Sequence, residues 1–260
     1  MSTFYPSATL ERRHEDFDLQ VARGQVPGHK AIFRSAYSTH VTTAQNYAVW
    51  NRPANYTFPP SASVMTLSSS SAGDTTQSVL ITGLDANYEE ISEVLVLNGQ
   101  NAVTSTKSFL RVNDMIVLVD SPAGNLFFGT GTVTAGVPAN VYGFISAGDN
   151  QQLGGWYTVP AGHNLFIKGG SVNASLANQN KLVTISFSSA ILGVKFAAAK
   201  IISSGGYQHY PYTPPLAVPE KSDLLDTATT TDATTSTVTV NLSGILIKGP
   251  AAAAPGTPWI

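Results

Sequence analysis

Residues 79–112 constrain the fold of this chain most tightly. Val79, Leu80, Ile81 and Thr82 form a strand-like run that stops at Gly83. Asp85, Ala86 and Asn87 carry turn chemistry, because short polar side chains hydrogen-bond the local backbone. A second apolar run, 91–97, ends at Asn98-Gly99, a pair that accepts the positive φ a two-residue type I′ hairpin turn requires. Residues 103–112 read as the returning strand. The pattern predicts a β-meander with well-marked turns, and it holds no nucleophile, metal cluster or phosphate cradle.

The same texture runs along the chain. Residues 31–33 and 47–50 are strand-like, and 51–60, with three prolines, must be an irregular loop. Residues 64–67 alternate and lead into 68–74, read as a flexible hairpin tip. The continuous apolar run 115–119 suits a strand buried on both faces. The texture resets near 148–152. Residues 156–159 then end at Pro160-Ala161-Gly162, a tight-turn signal, and 164–168 return. Val183, Ile185 and Phe187 alternate with Thr184 and Ser186, which gives a strand with one apolar face. Residues 194–202 fit a strand or a helical turn. Residues 226–236 read as a long hairpin tip, and 237–248 as the clearest single strand.

Strands separated by turn signals about every ten residues predict an all-β sandwich or barrel. The expected fold is all-β, with two jelly-roll-like β-sandwich units and extended N- and C-terminal arms. The expected divisions are an arm at 1–18, a sandwich at 19–150, a second at 151–248, and an Ala/Pro-rich tail at 249–260.

Charged residues make up only 12% of the 260, about half the usual share. Ser, Thr, Gly, Asn and Ala take their place. Such a surface suits a protein that lies against other proteins, and it equally suits an ordinary β-rich domain. A net charge of −2 gives no long-range attraction to phosphate, so nucleic acid is not an expected partner. No cysteine is present, which excludes disulfides and thiolate metal sites. Residues 1–18 lack the apolar core of a signal peptide, and no run of about 18 apolar residues exists to span a membrane.

Candidate chemistry is sparse. His14, His29, His40, His163 and His209 are dispersed, without the spacing that sets two imidazoles on one face. Glu89, Glu90 and Glu93 are the one acidic cluster; paired carboxylates serve glycoside hydrolysis, but adjacent strand residues point to opposite faces. Gly129-Thr130-Gly131 lacks the following helix and Lys of a phosphate loop. Asp149-Asn150 and Asp223 with Asp226 lack calcium-loop spacing. No catalytic residue, metal or cofactor is expected. Tyr207, Tyr210 and Tyr212 allow two readings: a stacking platform for a host-surface glycan, or packing of an extended segment. In the terminal segments, Phe4, Tyr5, Leu10, Trp259 and Ile260 are candidate partner contacts, since they offer apolar area without strand alternation.

Several segments together resemble the virion structural proteins of tailed bacteriophages. They are Val21-Ala22-Arg23-Gly24 with Pro27-Gly28; Gly83 to Tyr88 with Ser92-Glu93, Leu97-Asn98-Gly99 and Val103 to Thr106; Phe109-Leu110-Arg111-Val112; Tyr157 to Gly162; and Pro214-Pro215 with Val218 to Asp223. The resemblance spans about residues 20–248. It implies a virion component assembled in the host cytoplasm, without an active site. Its expected partners are further copies of itself, with a trimer as the expected state, and neighbouring virion proteins. It leaves head decoration, neck, collar and tail positions open. A receptor- or glycan-binding tail appendage is the rival reading, and a glycan hydrolase a third.

Overall fold

The computed structural model describes residues 15–43, 47–176, 178, 180–191 and 194–249; at 191 and 194–198 only the backbone is described. One short helix, α1 (Phe17–Ala22), comes first among these. Asp16 caps it by accepting the Asp18 and Leu19 N–H groups at 2.8 and 3.4 Å, the usual service of an Asp at this position. The strands that follow are β1 (His29–Val41), β2 (Tyr47–Ala48), β3 (Thr66–Ser69), β4 (Ser78–Leu84), β5 (Glu90–Val96), β6 (Val103–Thr104), β7 (Arg111–Val119) and β8 (Leu126–Thr134). The second half supplies β9 (Val137–Ile145), β10 (Trp156–Thr158), β11 (His163–Ser175), β12 (Val183–Ile191), β13 (Val194–Ser203), β14 (Gly206–Val218), β15 (Asp223–Thr230) and β16 (Ser236–Lys248).

The protein is nearly all β, with 59% of residues in strands and 3% in helix. Among the described residues the strands form four antiparallel sheets. The first runs β1-β16-β11-β14. The second runs β10-β15-β12-β13, with β2 added on β15. The third runs β6-β3-β8-β9, and the fourth β5-β4-β7. The first and second sheets share a core that includes Ala36, Val172, Ile185 and Val240. The third and fourth share one built on Leu67, Ile81, Phe109, Met115 and Phe128.

The expected pair of jelly-roll sandwiches is not what forms. The four small sheets take a four-bladed, propeller-like arrangement. Strand pairing also crosses the expected boundary at 150. β1 pairs with β16 from His29↔Ile247 to Val41↔Ser236, and β2 pairs with β15. The reason is burial: Ile32, Ala36 and Val41 of β1 fill cores that β11 and β16 complete. Confined to 19–150, these side chains would face water. At the other end of the first half, residues 15–22 are not a free arm. Val21 is buried, Asp18 pairs with Lys168 of β11, and the Phe17 ring meets His29 edge-on at 5.8 Å.

The 79–112 stretch is a meander of a different order from the one its sequence predicts. β4 is the centre of its sheet, flanked by β5 and β7, while residues 103–104 pair away with β3. The turn at Asn98-Gly99 sits one residue later than expected. The Asn101 N–H donates to the Asn98 carbonyl at 3.1 Å, and Gly99 alone of the two central residues has positive φ, as a type II′ turn requires. Residues 68–74 are packed, not a loose tip: Ser68, Ser69 and Asp74 are buried. Residues 226–230 belong to buried β15, which leaves 231–235 as the tip. The 194–202 ambiguity resolves as strand β13.

Candidate functional site

Phe4, Tyr5, Leu10, Trp259 and Ile260 lie outside the described residues. Tyr207, Tyr210 and Tyr212 all sit on β14, an edge strand of the first sheet, and do not share a face. Tyr207 is 68% exposed. Tyr210 points inward, its ring 5.4 Å from Phe187 and its hydroxyl donating to the Asn241 carbonyl at 3.4 Å. Tyr212 follows it, 6.0 Å ring to ring. Burial raises the pKa of both phenols above the ordinary tyrosine value. Two residues along a strand restore the face and three reverse it, so the geometry separates Tyr207 from the other two.

The acidic residues singled out in the sequence hold structure together. Glu90 pairs with Lys30 at 3.0 Å. Glu93 accepts the Thr106 and Lys107 N–H groups at 2.8 and 3.0 Å. Burial alone would raise its pKa, but these bonds, the Thr106 hydroxyl and the Lys107 charge bring it below the usual value. No group of three or more His, Asp or Glu suited to a metal occurs among the described residues.

Residues far apart in the chain, Tyr88, Arg111, Thr158 and Asp223, converge on one place. Arg111 (β7) holds Asp223 (β15) through two parallel bonds of 2.8 Å, Nε to Oδ1 and Nη2 to Oδ2. Its third nitrogen, Nη1, donates to the Pro59 and Leu110 carbonyls. The guanidinium lies over the rings of Phe58 and Tyr88, at 5.0 and 5.7 Å from their centroids. Thr158 donates its hydroxyl to Asp223 at 2.6 Å, and the Ala161 N–H donates to the Tyr88 carbonyl at 2.8 Å. Burial alone would lower the Arg111 pKa, yet the Asp223 contact more than offsets it and holds the guanidinium above its ordinary value.

This junction continues into an aromatic cluster and a second, half-buried arginine. Trp156 stacks on Tyr56 at 3.8 Å and meets Trp50 edge-on at 5.3 Å, while its indole N–H donates to the Val112 carbonyl at 2.9 Å. Asn113 exchanges two 2.9 Å bonds with the Thr158 backbone. Arg34 of β1 donates to the Asn113 carbonyl and lines a cavity of about 20 Å³ with Asp226, room for about one water and no substrate. Burial pushes the Asp226 carboxyl up to about 7, against the pull of Arg34. These contacts tie the third and fourth sheets to the first and second.

The outer face of the fourth sheet has the opposite character. Residues 115–119 of β7 are expected from sequence to be buried on both faces, but of these five only Met115 and Val117 are covered. Ile116 and Leu118 are 37% and 52% exposed, and on β5 Val94 and Val96 are 51% and 52% exposed. Register lines these up. Val94, Leu80 and Ile116 form one cross-strand row, and Val96, Ser78 and Val119 the next. Thr82, Ser92 and Asp114 continue the face into a cleft beside Lys30, Phe33 and Arg34 of β1. Isolated exposed aliphatics are ordinary; here four of them, Val94, Val96, Ile116 and Val119, gather on one face of neighbouring strands.

No family model matches this chain, and no curated protein does. Among solved structures, a chain of infectious bursal disease virus Gt strain is 10% identical, with 91% of this chain and 83% of that chain covered at a TM-score of 0.21. A Gx strain chain is 10% identical, with 86% and 78% covered at 0.19. The VP2 subviral particle of the same virus is 10% identical, with 92% and 84% covered at 0.19. Likeness at this level carries no argument about fold or function.

Proposed function

We propose that this chain is a non-enzymatic virion structural protein that assembles as a symmetric homo-oligomer, with a second copy of the chain covering the outer face of the β5-β4-β7 sheet. The observation that carries this reading is the set of exposed aliphatics Val94, Val96, Ile116 and Val119, which flank Leu80 and Ser78 in two adjacent cross-strand rows. The whole outer face, three strands of about seven residues, presents roughly 14 by 24 Å, about 300 Å², and the two aliphatic rows cover about half of it. A standard interface takes about 800 Å² from each partner, so these rows form the dry centre of a larger, hydroxyl-rich contact. Assembly by strand addition is disfavoured at β14, an edge strand whose Pro211, Pro214 and Pro215 break the backbone donor row.

In this reading the oligomer sits on the outside of a tailed-phage particle, as a capsid decoration or a neck, collar or tail component assembled in the host cytoplasm, and the sequence resemblance is what supports it. A trimer is the state to test first. Phe4, Tyr5, Leu10, Trp259 and Ile260 are then the candidate contacts to neighbouring virion proteins. The rival platform of Tyr207, Tyr210 and Tyr212 lacks a common face. A density map of purified particles tests the placement: the chain should occupy a symmetric ring of copies on the exterior. Particles that lack the chain would contradict it.

A further inference from the structure

We propose that the concavity lined by His40, Asn51, Arg52, Asn125, Phe127 and Phe144 binds an acidic sugar unit through its carboxylate. It forms where the loop after β2 meets the outer face of the third sheet, and its volume is about 510 Å³. That lies within the roughly 300–1,000 Å³ of small-molecule sites, unlike the cavity beside Asp226. The site is separate from the assembly face and from the β14 tyrosines, none of which lines it.

Arg52 carries the argument. Its guanidinium rests over the Trp50 ring, 5.4 Å from the centroid, and forms no ion pair among the described residues. Burial lowers the Arg52 pKa, with no acidic neighbour opposing the shift. A half-buried cation without a counter-ion gains from an incoming carboxylate, and the fork of a guanidinium fits one bidentately.

The remaining lining chemistry selects among anions. No Asp or Glu lines the concavity. The Asn125 side-chain oxygen already accepts the Ala147 N–H at 2.9 Å, which leaves its amide N–H groups to a ligand. Asn51 is held by Thr39 and donates to Ser146, so its amide is preset. Phe127 and Phe144 pair across β8 and β9 and, with Pro53 and Val137, give an apolar floor. Donors on one side and an apolar floor on the other match a sugar ring with a carboxylate. An inorganic anion would leave the floor unused.

The test is a titration of the full chain, followed by amide NMR shifts, with N-acetylneuraminic acid, glucuronic acid, glucose, sodium acetate and a tetraglutamate peptide. At least one acidic sugar should bind saturably and at least tenfold more tightly than glucose, acetate or the peptide. Arg52→Gln should weaken that binding at least tenfold. Asn125→Asp keeps the acceptor for Ala147 and adds a negative charge, so it should also abolish binding while the thermal midpoint stays near that of the parent. Absence of saturable binding by both acidic sugars would overturn the proposal. So would glucose, acetate or the peptide binding as tightly, or undiminished binding in both variants.

Discussion

Arg111 and Asp223 stand 112 residues apart in the chain and meet in two parallel 2.8 Å bonds, with only 10% and 14% of their side chains exposed. The pair joins the central meander to β15, and so couples sheets that the sequence divides into separate halves. Removing one partner strands a largely buried charge, which costs about 3–5 kcal/mol. Arg111→Ala should therefore destabilise by that amount in urea unfolding. The double variant Arg111→Ala/Asp223→Ala should cost less than the sum of the two single variants. Additive costs would mean that the two side chains act independently.

Asp226 gives a pH dependence of defined sign. Its folded-state pKa, about 7, lies above the roughly 4 of an unfolded Asp. The folded protein therefore keeps a proton that the unfolded chain releases between about pH 4 and 7. Stability falls as pH rises through that window, and the penalty is complete above it. Asp226→Asn removes the penalty and keeps the shape. Its thermal midpoint should exceed that of the parent at pH 8, and the gap should close near pH 4. A gap that is constant or grows toward acid would contradict the assignment of Arg34 and burial as the controlling influences.

The alternating strands were legible in the sequence because each has one wet face. Val183, Ile185 and Phe187 fall on the buried side as their spacing dictates. The uniform run Met115 to Val119 was not legible, because a continuous apolar strand reads alike whether a further layer or water covers its second face. Here no described segment covers Ile116 and Leu118, and the misread strand became the candidate surface. Buried Ser68, Ser69 and Asp74 looked like a loose tip for a related reason. Their burial depends on distant partners: the Gly136 carbonyl for Ser68, and the Ala123 and Gly124 N–H groups for Asp74. Arg111 with Asp223 left no local pattern either. Sequence spacing does not encode pairs that only the sheet order brings together.

Gly83 is the point where the central meander is most sensitive. A β carbon there would run into the Arg111 carbonyl and lie 2.9 Å from the Phe109 ring, beside a register shift between Thr82 and Gly83. Forcing an extra methyl into such a site costs about 1–3 kcal/mol. Gly83→Ala should lower stability by that amount and shift Arg111 with it. Gly162→Ala, where a β carbon meets nothing but φ is +67°, should show only the smaller backbone cost. Equal losses at the two positions would rule out steric contact as the cause at Gly83.

The central claim is that the outer face of the β5-β4-β7 sheet is where copies of this chain meet. Val94→Glu combined with Leu118→Glu places charge on two half-exposed side chains without touching the buried core. Light scattering during size-exclusion chromatography at micromolar concentration gives the decisive comparison. The parent should elute at a small integer multiple of the monomer mass, and the double variant as a monomer with an unchanged unfolding midpoint. A monomeric parent, or a variant that keeps the parent's mass, would contradict the account.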